Sequence, residues 1–302
     1  MCLISITAWA DPLAEVRRGM EKAMGEFPLS GPRRPPEVRV IEERQIGSIT
    51  YRRLDYLAEP GDWVPAWLLL PAGRARHPAM LALHQTTKFG KDEPAGLAGK
   101  PNLFYAKELA ELGFVVLVPD YPSLGQNESD PYKLGYASTS MKAIVNHVRG
   151  LDLLASLPNV DPKRLGAIGH SLGGHNSLFL AIFDPRVKVV VTSCGFTAAH
   201  RYKGGDLTGW NGWRYMPRIG TIYHNSPAEV PFDFPAIVEA LRTRGLFVNA
   251  PLHDDNFDVE GVRECMRQAG KKAVAVYPNA GHDFPPAERE QAYRYIERFL
   301  GR

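Results

Sequence analysis

The chain has 302 residues, 44% hydrophobic and 23% charged, with a formal net charge of +3. These are ordinary values for a globular fold with a substantial core, built as one large α/β domain or two small ones. The charge is small and no basic stripe is interleaved with aromatics, so nucleic acid is not an implied partner; no apolar run approaches the roughly 20 residues of a membrane span.

Residues 1–10 are mildly apolar and end in Ala8-Trp9-Ala10, the spacing of a signal cleavage site. They lack a basic segment, and the apolar stretch is short. They read either as an atypical secretory signal or as a leader, which leaves the compartment open between cytoplasmic and secreted. A helix is expected over Pro12–Met24, then a Pro/Gly-rich linker over 28–36. Residues 1–36 thus read as an N-terminal extension and 37–302 as one domain. Antiparallel strands are expected over 38–70, turning at Glu59-Pro60-Gly61-Asp62. Apolar strands then alternate with helices: strands 80–84, 115–118 and 165–168, helices 107–112 and 141–157. This alternation predicts a mostly parallel central sheet with helices on both faces, in which ligands bind at the carboxyl ends of the strands.

The candidate site residues follow in chain order. After strand 79–83 comes His84-Gln85-Thr86-Thr87-Lys88. A loop there supplies a backbone N–H to a developing oxyanion. The Thr86 amide is the preferred donor and Gln85 the alternative, while His84 reads as a buried ring tying the loop down. Asp120-Tyr121 sits at another strand end, with Asp120 expected to cap the following loop.

Gly169-His170-Ser171-Leu172-Gly173-Gly174 is the most specific signal in the chain. It lies between the strand 164–168 and a helix expected over Leu172–Phe183. A serine at such a strand–turn–helix apex needs small residues two before and two after it, because a Cβ at either point would meet the neighbouring strand and helix. The strained turn lifts the Ser171 hydroxyl clear of the sheet, beside the Leu172 amide and the positive end of the helix. Leu172 is therefore the other expected oxyanion donor.

Residues 195–231 break the alternation with an aromatic-rich insertion containing Trp210, Trp213 and Tyr215. It reads as a cap, since long ordered loops are usually functional. Its aromatics either line a substrate pocket or fix the loop to the body. Arg214 and Arg218 either meet a substrate carboxylate or pair with acidic neighbours. The strand at 244–251 ends before Asp254-Asp255. One of these must accept the Nδ1 proton of a catalytic histidine; Asp254 fits the short turn after Pro251 better, with Asp255 the alternative. Finally, strand 273–277 leads into Asn279-Ala280-Gly281-His282 before a helix over 286–300. His282 is the candidate general base. The cysteines Cys2, Cys194 and Cys265 are an odd, widely spaced set, which implies no disulfide framework, and Cys194 reads as a small buried core residue. Neither a zinc-type Cys/His spacing nor a dinucleotide-binding glycine motif follows any strand, so no metal or cofactor is expected.

From about Glu37 to the C-terminus the chain resembles a serine α/β-hydrolase of the dienelactone-hydrolase and acetyl-xylan-esterase-like group. The resemblance rests on Asp62-Trp63-Val64-Pro65-Ala66-Trp67, His84-Gln85-Thr86, Val118-Pro119-Asp120-Tyr121, the Ser171 turn, Asp184-Pro185-Arg186-Val187 and Gly281-His282. The order serine, acid, histidine is that of this fold. The resemblance implies ester hydrolysis on a small-molecule substrate by Ser171, Asp254 and His282, with Thr86 and Leu172 at the oxyanion; Gln85 in the loop and Trp210, Trp213 and Tyr215 in the insertion are the candidates for contact with the substrate. Oligomeric state is not implied. The chain departs from dienelactone hydrolases, which use a cysteine where Ser171 stands, and from glucuronoyl esterases, which place a basic residue where Leu172 stands. A peptidase or amidase, a carbohydrate-ester deacetylase, and a binding protein on an inactive hydrolase scaffold remain as alternatives. The complete serine, acid and histidine set argues against the last.

Overall fold

The computed structural model describes residues 11–73 and 76–301, so the signal-like leader and Cys2 lie outside the described residues. Helix α1 (Pro12–Met24) opens with Asp11 accepting the Leu13 amide and with proline at its first position, where a missing N–H costs nothing. Its apolar face, Val16, Met20, Ala23 and Met24, is buried in the main core. Strands β1 (Val38–Ile46), β2 (Ile49–Glu59) and β3 (Asp62–Leu70) form an antiparallel meander. Then follow β4 (His77–Leu83), α2 (Tyr105–Glu111), β5 (Val115–Pro119), α3 (Thr139–Ser156), β6 (Val160–His170), α4 (Leu172–Phe183) and β7 (Val187–Ser193). After the insertion come α5 (Arg218–Thr221), α6 (Phe234–Ala240), β8 (Gly245–Asn249), α7 (Val259–Met266), β9 (Ala273–Val276) and α8 (Pro286–Leu300).

One nine-stranded sheet runs β1-β2-β3-β5-β4-β6-β7-β8-β9. It is antiparallel as far as the β3–β5 pair and parallel from β5 to β9. The parallel strands are near-continuous apolar runs, Val189 to Val191 for example, because helices cover both their faces. One apolar layer joins α1, α3, α4 and α6 to the sheet. The other joins α2 and α8 to the opposite face. Leu83 pairs with Gly169, His170 with Ser193, Ser193 with Asn249, and Asn249 with Val276. The ends of five strands, β4, β6, β7, β8 and β9, therefore line up at the edge that carries Ser171, and the loops leaving them converge there.

Several boundaries differ from the sequence reading. Helix α3 begins at Thr139, two residues earlier, because Ser138 caps it by accepting the Met141 amide at 3.0 Å. Strand β6 begins at Val160, which pairs with His77 across a register shift. Helix α7 is amphipathic, but at eight residues it is too short to be picked out by its period; Asp258 caps it by accepting the Gly261 amide at 2.9 Å.

Candidate active site

Ser171 sits at φ 54°, ψ −117° between β6 and α4, a conformation that non-glycine residues rarely hold. A Cβ on Gly173 would lie 1.9 Å from the Leu83 carbonyl oxygen, and one on Gly169 would lie 2.2 Å from the Gly173 carbonyl oxygen. Both glycines are therefore obligatory, as the motif predicts. The Ser171 amide donates to the Ser193 carbonyl at 2.8 Å, fixing the turn to β7. Leu172 is the first residue of α4, so its amide has no acceptor within the helix.

His282 Nδ1 lies 2.9 Å from Asp254 Oδ1. Burial by itself would raise the Asp254 pKa. The hydrogen bond and charge of His282, with the Asn256 and Phe257 amides, outweigh burial and hold the carboxyl below its ordinary value. An ionised Asp254 only accepts, so Nδ1 carries the proton and Nε2 is free to take another. Asp255 is exposed and its carbonyl accepts from Lys203. The two loops are laced together: Ala250, Leu252 and His253 amides donate to Val276, Pro278 and Ala280 carbonyls at 2.9 to 3.0 Å. The His282 ring packs edge-on against His170, the neighbour of Ser171, with centroids 4.8 Å apart. That contact brings the acid–base pair to the serine turn.

His170 escaped the sequence reading. It is buried, its Nδ1 lies 2.9 Å from Ser193 Oγ, and burial holds it well below the usual imidazole pKa. Cys194 Sγ falls within 4.8 Å of donor atoms on both His170 and His282. Burial and the nearby Asp254 charge push its thiol up, and it donates to the Asp283 carbonyl at 3.3 Å.

His84 is buried: its Nε2 accepts the Tyr121 amide at 2.9 Å and its Nδ1 donates to the Gln85 carbonyl at 2.6 Å. Burial lowers its pKa, so it is a neutral structural ring that binds two loops. The Gln85 side chain is engaged by Glu93 at 2.8 Å. Asp120 accepts the Gln126 amide, as a loop cap should, and also forms a fully buried pair with Lys91 Nζ at 2.8 Å.

The three insertion aromatics separate. Trp210 is buried against His175, Tyr202, Phe234 and Phe257 and fixes the insertion to the body. Tyr215 turns its hydroxyl to Thr86 Oγ1 at 3.0 Å. Trp213 is 51% exposed and lines a cleft of about 780 Å³ with Thr86, Leu124 and Arg214. Leu124 also packs against the cluster of Tyr121, Ala143 and Leu172, which places the cleft near the serine turn. Arg218 lies elsewhere, donating to the Lys22 carbonyl.

A mainly parallel sheet with a strained serine turn and a histidine–carboxylate pair at its carboxyl edge defines a serine α/β-hydrolase. The chain belongs to the prolyl oligopeptidase family, which it matches over residues 102–302. It is 26% identical to the hydrolase YtaP of Bacillus subtilis (strain 168), across 95% of this chain and 99% of that one. The quorum-quenching protein AidA of Acinetobacter baumannii is 28% identical over 49% of this chain and 47% of its own length. Among solved structures, a glucuronoyl esterase from Solibacter usitatus superposes with a TM-score of 0.71 at 16% identity, covering 94% of this chain and 91% of that one. An acetyl xylan esterase from Paenibacillus sp. R4 gives 0.69 at 17% identity, covering 98% and 96%. At such identities these likenesses speak to the fold.

Proposed function

We propose that the protein hydrolyses carboxylic esters of small molecules through a covalent acyl-enzyme on Ser171. The observation that carries this reading is the 2.9 Å Asp254–His282 pair packed against the turn that presents Ser171. Ser171 Oγ attacks the ester carbonyl while His282 Nε2 takes its proton. Asp254 fixes the tautomer and stabilises the imidazolium. The amides of Leu172 and Thr86 hold the oxyanion, each worth about 3 kcal/mol in the transition state. His282 then protonates the leaving alcohol and activates water for deacylation. The insertion over 195–231 acts as a cap, with Trp210 anchoring it and Trp213 and Tyr215 facing substrate. The esterases that share the fold agree with this chemistry. Family membership favours a second reading on the same residues, amide hydrolysis.

The test is a p-nitrophenyl ester series from acetate to octanoate beside matched p-nitroanilides, with Ser171→Ala as the control. Ester turnover that falls on the order of 10⁴- to 10⁶-fold in the variant, with an unchanged melting temperature, is the expected result. Anilide turnover above ester turnover would favour the amidase reading. A variant retaining most activity would remove Ser171 from the mechanism.

A further inference from the structure

We infer that the cleft beside Thr86 selects substrates carrying a second, free carboxylate, and that Arg214 binds it. This rests on the acyl-transfer reading, which puts the reacting carbonyl at the Thr86 end of the cleft. Arg214 is poised as few surface arginines are. Its guanidinium lies over the Trp213 ring, 4.5 Å from the centroid. Its Nε is buried and has no hydrogen-bond partner among the described residues. It joins none of the ion pairs among the described residues, whereas Lys133, another cation of this cleft, pairs with Asp130 at 3.6 Å. A carboxylate entering the cleft would be held by the two terminal guanidinium nitrogens, in the bidentate geometry that suits arginine.

The backbone beneath Arg214 is held in advance. The Trp213 carbonyl accepts from Thr139 Oγ1 at 2.6 Å and from the Tyr132 hydroxyl. The Arg214 carbonyl accepts from the Tyr121 hydroxyl at 2.8 Å, and the Tyr215 carbonyl accepts from the Ser140 amide at 3.2 Å. Three successive carbonyls are thus fastened to the body, and the next side chain along, Tyr215, touches Thr86. Such a platform does not have to be ordered by its ligand. The remaining charges of the cleft are Lys88 and the carboxylates Glu128 and Asp130. Glu128 is exposed and Asp130 is taken by Lys133, so neither neutralises Arg214.

The experiment compares p-nitrophenyl hemiglutarate with the neutral p-nitrophenyl pentanoate in the wild type, Arg214→Gln and Arg214→Lys. The ratio of their kcat/KM values should fall roughly 10- to 100-fold in Arg214→Gln, as expected for a charge-assisted hydrogen-bonded contact. The change should sit in KM for the anionic ester. Arg214→Lys should recover part of the ratio, since it keeps the charge and loses the fork. An unchanged ratio overturns the inference. If the wild type hydrolyses neither ester, the esterase reading has failed separately. Equilibrium binding of glutarate then decides: weaker binding to Arg214→Gln than to wild type upholds the role of Arg214, and equal or absent binding overturns it.

Discussion

The serine turn and the Trp213–Arg214–Tyr215 platform meet at the cluster of Tyr121, Ala143 and Leu172, against which Tyr215 packs, but they are made in opposite ways. The turn is fixed by contacts among residues 169–174 and the ends of β4 and β7, at Leu83 and Ser193, with clearances that only glycine meets. The platform is fixed by side chains 74 to 93 positions away, those of Thr139, Tyr132 and Tyr121. The shape of the turn is encoded mainly by neighbouring residues and that of the platform at long range. The two can therefore be altered independently, and each of the following measurements tests that separation.

The largest expected effect after loss of Ser171 lies on the chemical side. Asp254→Asn should lower kcat on the order of 10⁴-fold, as expected when the histidine tautomer is lost. Asp255→Asn should stay near wild type, and neither should change the preference among substrates. Steady-state kinetics on two esters decides this, and the reverse pattern would move the role to Asp255. Away from the site, Asp120→Ala would leave the buried Lys91 without its carboxylate partner and with only the Gln126 side chain to bond. We expect a loss of about 3 to 5 kcal/mol in urea unfolding, larger than for the paired replacement Lys91→Met with Asp120→Leu. Equal losses would mean the ion pair is not the source.

The smallest effect concerns the ground shared by both regions. His175 on α4 packs against Trp210, and His147 lies on α3, the helix that carries Thr139. Burial lowers both pKa values to about 3. Their rings stay neutral when folded but take up protons when unfolded below about pH 6.5. Their contribution is therefore complete above that pH and lost as pH falls, by about 2 kcal/mol per histidine at pH 5. Urea midpoints at pH 7 and 5 should show this loss, and His147→Gln should reduce it. A midpoint indifferent to pH over that range would contradict it.

The same local-versus-distant contrast explains what the sequence discloses. The alternation of strands and helices, the serine turn, and helices α1 and α4 are legible because each is set by spacing within a few residues. Turn length favours Asp254 over Asp255, and Asp254 is the one hydrogen-bonded to His282. The packing of His170 on His282, the Asp120–Lys91 pair and the fastening of residues 213–215 have no local signature. Each depends on which strand ends the topology brings together. The short turns inside the insertion have no apolar period to read, and the division of Trp210 from Trp213 follows only from where the body lies.

The lacing of residues 250–253 to 276–280 has a further consequence. Asp254 and His282 ride on one backbone unit, so a hinge movement of that edge would carry both together. Heat or truncation that loosened the edge would displace the intact pair from Ser171 rather than break the pair itself. Inactivation would then be a loss of alignment, reversible on cooling, with the histidine tautomer preserved throughout.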